Sequence, residues 1–493
     1  MPSKTKYLHV VVLIVSVVAV FWRALDGEIL IWDDRQLLLT DPHLQSLTLD
    51  NFCGLWSGVH DMLYTPTIGS VWFLNGLIFG QWNSTALHAT NLVFHSLNAV
   101  LVYFLLRELV PKGTDKNGWI PLLCALVFAV HPTRVEPTVW IAGIKEILAT
   151  AAGLEALLCY LHSRDGSRGW LAYRMTSIVL MFVSLAAKPS FVIFPLCLFI
   201  LEWRPGTKLD QLAKRISPYL ILAAIFTWVA VDSQAPHQLL YVPAWWGKLL
   251  VAIDSIGFYL MKTIVPFAVG PDYGRMPALV LSSWEVWAPM VAVAIVFTIG
   301  VLLTRKRDYL RAYLLFCVSL APVLGFIPFY FQQTSTVADR YLYFPSIWLS
   351  LLLALVIAAR GEKPRFQRAI MATLGIFVAI FAVKSAIATP EWRDDKTFFT
   401  FMLRENPRSF TAINRLADME SEAGRFQNAL DLYIASREIA PWQPYPWLNT
   451  AYVQWQLGRR DDSIATLKAL LAKYPGYAPA EENLKRLMAP PSP

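Results

Sequence analysis

Charge is what this 493-residue chain is short of: Asp, Glu, Lys and Arg together make up only 16% of it. A soluble globular domain carries roughly 25% charged residues, so the shortfall argues against an ordinary water-soluble enzyme. The same composition excludes a disordered chain, a coiled coil and a collagen. Cysteine is scarce too, with five residues and no Cys-x-x-Cys pair. Four of them (Cys124, Cys159, Cys197 and Cys317) lie in apolar runs, where cysteine acts as a small hydrophobe. Neither a disulfide framework nor a zinc site is indicated. No cluster of Lys and Arg with interleaved aromatics is present, so nucleic acid is not an expected partner.

What the chain does have is apolar and aromatic: 56% hydrophobic residues, 13% aromatic and a mean hydropathy of +0.45. That combination reads as a polytopic membrane protein with interfacial aromatic belts, its partner the lipid bilayer. Apolar stretches near the roughly 20 residues that a spanning helix needs occur at 7–25, 88–106, 119–136, 138–161, 172–187, 189–203, 217–231, 284–303, 310–330, 343–359 and 369–389. The first lacks a small-residue cleavage site after it and reads as a retained helix.

The net charge of +8 comes from 43 Lys and Arg against 35 Asp and Glu. Cations gather at the N-terminus and in the connections 107–116, 164–174, 204–215, 305–311 and 360–368, which the positive-inside rule places in the cytoplasm. The alternation holds if 232–283 crosses an even number of times, making 245–269 re-entrant or interfacial. The expected fold is all-α, with about 11 transmembrane helices, the N-terminus inside and the C-terminus outside. On the outer side cations are few, and an ionisable group at membrane depth is a functional candidate.

Beyond residue 390 the composition turns polar and helical. Pro407, Pro441 and Pro475 recur every 34 residues, as do Gly424 with Gly458 and Ala417 with Ala451. That is the tetratricopeptide-repeat register, so 391–493 is expected to be a short repeat solenoid after a membrane domain at 1–390.

Several polar groups on the outer side form candidate constellations. Asp33 and Asp34, in Trp32-Asp33-Asp34-Arg35 just past the first span, suit a general base, a metal ligand or a helix cap. The aromatic stretches 52–56 and 72–82 that follow read as interfacial helices walling a pocket. His88, Asn91, His95 and Asn98 are spaced 3, 4 and 3, on one helix face; they suit interhelical hydrogen bonds or a cavity lining. His131 and Glu136 follow the third span, and Lys188-Pro189 breaks a later one. Arg340 and Tyr341 lie in Asp339-Arg340-Tyr341-Leu342-Tyr343. Lys188 and Arg340 are suited to a lipid phosphate, or to pairing with Glu136 or Asp339.

Together these pieces resemble the GT-C superfamily of polyprenyl-phosphate-sugar-dependent glycosyltransferases, and within it the protein O-mannosyltransferases that join a membrane domain to tetratricopeptide repeats (TMTC type) and their bacterial relatives. The motifs that carry the resemblance are Trp32-Asp33-Asp34, the His88/Asn91/His95/Asn98 face, His131-Pro132 with Glu136, Asp339 to Pro345, and Trp392 to Asp395 leading into Asn406-Pro407. The resemblance implies a polyprenyl-phosphate-linked donor of mannose or another hexose. The acceptor it implies is a hydroxyl on protein Ser/Thr, or on a lipid or glycan, reached from the periplasmic face of a bacterial inner membrane or the lumenal face of the endoplasmic reticulum. Asp33 or Asp34 would be the catalytic carboxylate, with inversion at the sugar. Lys188 and Arg340, with Arg35, would hold the phosphate, and His88, His95, His131, Glu136 and Tyr341 would line the substrate site. No cofactor is required by the pattern; some members use a divalent cation (Mg²⁺ or Mn²⁺), for which Asp33 and Asp34 would be the ligands.

Overall fold

The computed structural model describes residues 3–59, 63–115, 117–164, 169–234, 241–266, 268–360 and 364–489. Of the cations placed in cytoplasmic connections, Lys116, Arg168 and Lys363 lie outside that set. Every regular element among the described residues is helical. Contacts divide the chain into two units, Met1–Pro271 with Arg275–Asp394, and Asp395–Pro493 with the short segment Asp272–Gly274.

In the first unit, six segments are long and apolar enough to cross a bilayer: Lys4–Asp26, Ser84–Leu109, Trp170–Ala187, Leu209–Ser233, Trp284–Leu303 and Arg365–Trp392. Four shorter apolar helices accompany them, Pro66–Phe79, Trp119–Val130, Pro189–Glu202 and Ser346–Ala358. Apart from Ser84–Leu109, the long ones are exposed over most of their surface; Tyr7, Leu8, Val11, Val15 and Val18 of α1 (Ser3–Phe21) are all exposed. The chain is thus an integral membrane protein.

The centre is α8 (Ile144–His162), which packs on α5 (Ser84–Leu109) and α9 (Trp170–Ala187). Its sequence explains why: Ala149, Thr150, Ala151, Ala152, Gly153 and Ala156 are all buried. Small residues let helices approach closely, and hydroxyls then bridge them. Ser184 and Ser177 of α9 donate to the Ala149 and Ala156 carbonyls, each at 2.7 Å.

Three expected spans differ from the helices found. The stretch 119–136 ends as a helix at Val130 (α6, Trp119–Val130), and the stretch 138–161 becomes α8 only at Ile144. Between them, His131 to Gly143 runs as short turns around α7 (Val135–Val139) and is buried throughout. Pro132 and Pro137 withhold two backbone donors and break helical continuity. Likewise the stretch 310–330 is helical only as α15 (Arg307–Leu320), because Pro322, Gly325 and Pro328 follow. The segment 245–269 forms α12 (Trp245–Ile264), which carries Lys248, Asp254 and Lys262 and packs against α14 (Trp284–Leu303).

The second unit holds α18 (Asp395–Glu405), α19 (Phe410–Glu422), α20 (Phe426–Ile439), α21 (Pro444–Gln456), α22 (Arg460–Lys473) and α23 (Ala478–Met488), each packed on the next in chain order. Gly424 and Gly458, at φ +73 and +75°, end α19 and the equivalent α21 in a left-handed conformation that favours glycine. Ala417, Ala429, Leu430, Tyr433 and Val453 form one apolar cluster, and Ala451, Leu467, Leu470, Ala480 and Leu487 a second.

The tightest backbone approach at the turn before α8 is at Gly143, where an added Cβ would collide with the Pro137 carbonyl. Gly143→Ala is therefore expected to lower stability by about 1–3 kcal/mol, read as earlier thermal unfolding of the detergent-solubilised protein; unchanged melting would contradict the close packing.

Candidate active site

The buried turn from His131 to Gly143 is where several of the candidate residues meet. Its short turns satisfy only part of the backbone by local bonds, and the remaining groups take partners from elsewhere. Asn91 of α5 donates to the Trp140 carbonyl at 2.7 Å. Asp34, fully buried at the start of α2 (Asp34–Leu39), accepts from the Ala142 N–H at 2.8 Å through Oδ1 and from Leu30 N–H at 3.4 Å through Oδ2. Burial pushes the Asp34 carboxyl up to about 8; the Ala142 N–H opposes the shift and the neighbouring Asp33 charge adds to it. Asp33 is half-buried at the N-cap position, and its side chain makes no capping bond.

Asp33 immediately precedes α2, on which Gln36, Leu37 and Thr40 share one face. Those three line a cavity of about 300 Å³ together with Trp72 of α4 (Pro66–Phe79) and Lys145 of α8. Glu146, the next residue of α8, lines a second and much smaller cavity with Lys188, Arg340 and Tyr341. The first turn of α8 thus stands between the two.

In the second cavity the cations are paired. Lys188 donates to Glu146 Oε1. Glu136 accepts from Arg340 twice, from the guanidinium Nη1 through Oε1 and from the backbone N–H at 2.7 Å through Oε2. Both cations pack near the Tyr341 ring, with Lys188 Nζ 5.3 Å and the Arg340 guanidinium carbon 4.9 Å from its centroid. Arg340 also packs over Phe331 at 4.2 Å and Trp140 at 5.6 Å. Burial pulls the Lys188 ammonium below its ordinary range, with the Glu146 carboxylate opposing. At about 20 Å³ the cavity has room for a single water.

Other candidates are engaged elsewhere. His95 bonds the Tyr343 hydroxyl at 2.6 Å and the Ala129 carbonyl at 2.9 Å. Asn98 donates to the Ile147 carbonyl at 2.8 Å, so the His/Asn face serves helix–helix bonding. His88 is buried against Gly27, where a Cβ would come within 2.7 Å of its Nε2. His131 bonds the Thr133 hydroxyl at 2.8 Å and the Thr263 carbonyl at 3.1 Å. Arg35 Nε donates to the Ile29 carbonyl at 3.1 Å. None of these five side chains lines the cavity that holds Lys188 and Arg340. Asp339 faces Lys262, at 4.0 Å, and not Arg340. Glu146, Lys145, Trp140 and Phe331 belong to the site although the sequence pattern assigns them no role.

Among the described residues no three His, Cys, Asp or Glu side chains come together to share a metal ion. With both Asp34 oxygens on backbone N–H groups, Asp33 and Asp34 do not by themselves make a ligand set.

No protein-family model matches the sequence. Individual relatives do. The chain is 22% identical to mouse protein O-mannosyl-transferase TMTC3 over 97% of its own length and 56% of that protein's. The human TMTC3 protein is 20% identical over 97% and 57%. The Caenorhabditis elegans protein O-mannosyl-transferase F38B6.6 is 21% identical over 88% and 63%. The chain resembles the TMTC family of protein O-mannosyltransferases. It spans less than two thirds of the length of these curated relatives, and the alignments run through both of its units.

Two measurements probe the site's electrostatics. Arg340→Gln leaves the Glu136 carboxylate buried without its charge partner, which is expected to cost about 3–5 kcal/mol; adding Glu136→Gln to that variant is expected to restore part of the loss in thermal unfolding. Asp34 carries its own pH signature. The folded chain keeps a proton that the unfolded chain releases above its ordinary carboxylate range, so this contribution to stability is lost as pH rises from about 4 to about 8. Melting temperature should fall across that window in the parent and lose this component in Asp34→Asn.

Proposed function

We propose that the protein is a membrane glycosyltransferase that moves a hexose, mannose by its relatives' names, from a polyprenyl-phosphate donor to a hydroxyl on protein Ser or Thr. The observation that carries this reading is the pair of cavities divided by the first turn of α8. One offers two cations around Tyr341 for a phosphate, and the other runs beside α2, the helix that Asp33 precedes. The names of the relatives support the same class.

In this mechanism Asp33 is the base. Asp34 is buried and committed to two N–H groups; it positions α2 on the turn before α8. The acceptor oxygen attacks the anomeric carbon as Asp33 takes its proton, and the bond from that carbon to the phosphate oxygen breaks with its electron pair on the phosphate. The configuration inverts. Charge builds on the departing polyprenyl phosphate, where Lys188 and Arg340 stabilise it as fixed cations. Phosphate entry parts Lys188 from Glu146, because the cavity between these side chains is otherwise too small for it. Arg35, His88, His95 and His131 act in this reading as scaffold around the site, with Glu136 and Tyr341 orienting Arg340.

The finer topology belongs to the same reading. About 11 crossings put the site on the outer face, periplasmic in a bacterial inner membrane or lumenal in the endoplasmic reticulum. The helices from α18 to α23 are proposed to be tetratricopeptide repeats, supported by their 34-residue register and the matching glycines.

Asp33→Asn is expected to lower hexose transfer from a polyprenyl-phosphate donor to an acceptor peptide by about 10²–10⁴, with melting unchanged, followed by peptide mass. Full transfer by both Asp33→Asn and Asp34→Asn would sink the carboxylate mechanism. Transfer to lipid or glycan with none to peptide would move the acceptor to that class.

A further inference from the structure

The helices that frame the Lys188–Arg340 cavity also frame a second polar cavity at their other ends. It measures about 140 Å³ and is lined by Arg164, Arg204 and Arg311, with Leu109, Leu201 and Leu355 among its apolar residues. The opposition of ends follows from the helices themselves. On α15, Ser319 lines the first cavity and Arg311 the second, about 12 Å apart along the axis. Glu146 opens α8 at the first cavity, and Arg164 follows its far end at the second. Pro345 precedes α16 (Ser346–Ala358) at the first, and Leu355 lies in its last turn at the second.

We propose that this cavity binds the phosphate headgroup of an anionic phospholipid in the leaflet opposite the candidate active site. Three features favour it. The guanidiniums arrive from three separate elements, the connection after α8, the connection after α10 (Phe194–Glu202) and the first turns of α15, so they converge on one space rather than marking a charged helix face. Arginine forks match phosphate oxygens, and basic pockets between helix ends at a membrane surface suit anionic lipids.

Their present partners are weak competitors. Arg164 lies 3.5 Å from Glu202, which Arg215 shares at the same distance. Arg311 pairs with Asp308, whose side chain is 62% exposed. Among the described residues the exposed Arg204 guanidinium has no hydrogen-bond or ion-pair partner. Exposed pairs contribute roughly 0–1 kcal/mol each, which applies to Arg311–Asp308; the Arg164–Glu202 pair is part-buried, but at 3.5 Å it is long and its carboxylate is divided between two arginines. Glu108 and Asp308 also line the cavity, while the flanking connections add Lys208, Lys214, Arg305, Lys306 and Arg307, leaving the region positive.

The apolar lining identifies the source of the phosphate. Leu109, Leu201 and Leu355 give an acyl chain a surface that a free phosphate ion does not need. Trp203, more than half exposed, adjoins them and accepts from Arg311 through its carbonyl at 2.7 Å; tryptophan belongs at the headgroup level. This inference rests on the helices crossing a bilayer and not on the transfer reaction.

The test uses the full-length protein in detergent with phosphatidylglycerol and chain-matched phosphatidylcholine, bound lipid being counted by native mass spectrometry. Phosphatidylglycerol should be retained about tenfold over phosphatidylcholine, with Arg204→Gln losing at least about threefold and Arg204→Gln/Arg311→Gln losing the preference. Arg204→Gln removes a side chain without a protein partner, so it reads binding even where the double variant misfolds. Equal retention of the two lipids by the parent, or an unchanged preference in folded Arg204→Gln, would overturn the proposal. Displacement of bound phosphatidylglycerol by millimolar inorganic phosphate would overturn the lipid as the source.

Discussion

A stretch of irregular backbone buried among apolar helices has one unavoidable requirement: each N–H and C=O must find a partner within the protein. The turn from His131 to Gly143 meets it by recruiting side chains from far along the chain. Asn91 reaches the Trp140 carbonyl and Asp34 takes the Ala142 N–H. Glu136 within the turn takes the Arg340 N–H. Each of these bonds fixes a second element in place. α5 is held against the turn, the first outer loop is pinned by a buried carboxyl, and the segment at Asp339 to Tyr343 is drawn over the turn's other side. The small-residue face of α8 then lets the turn continue directly into the centre of the helix layer.

The charges at the site follow from that arrangement. A buried cation with no partner is costly, and Lys188 and Arg340 are each given a carboxylate, Glu146 and Glu136. Aromatic faces from Tyr341, Phe331 and Trp140 complete the enclosure of Arg340. Such pairing holds cations at fixed positions before any substrate arrives, which is the arrangement that transition-state stabilisation by preorganised charge requires. It also means that in the proposed reaction an anionic ligand competes with the protein's own carboxylates rather than entering an open cationic pocket.

Much of this was readable from residue order, and the rest was not, for identifiable reasons. Asp33-Asp34, Lys188 and Arg340-Tyr341 stood out because polar residues are conspicuous in an apolar chain. The His88/Asn91/His95/Asn98 spacing showed a single helix face, but periodicity does not say whether a polar face meets solvent or another helix. Here it meets Tyr343, Ile147 and the turn. Glu146 went unassigned because its partner lies 42 positions away and no local pattern links them. Hydropathy extended the helices 119–136 and 310–330 beyond their ends, since an apolar run scores alike whether it is helical or a proline-broken turn.

What the sequence by itself determined is the solvent and the period: an apolar, charge-poor composition demands a bilayer and helices, and a 34-residue register demands repeated helix pairs. These depend only on local composition and spacing. Which carboxylate meets which cation, that Asp34 is a buried anchor while Asp33, just before α2, is only half-buried, and that arginines from two connections and one helix share one space were decided by tertiary structure alone. The reason is that burial and charge pairing are properties of residues brought together across hundreds of positions, and nothing in the local order of a chain encodes them.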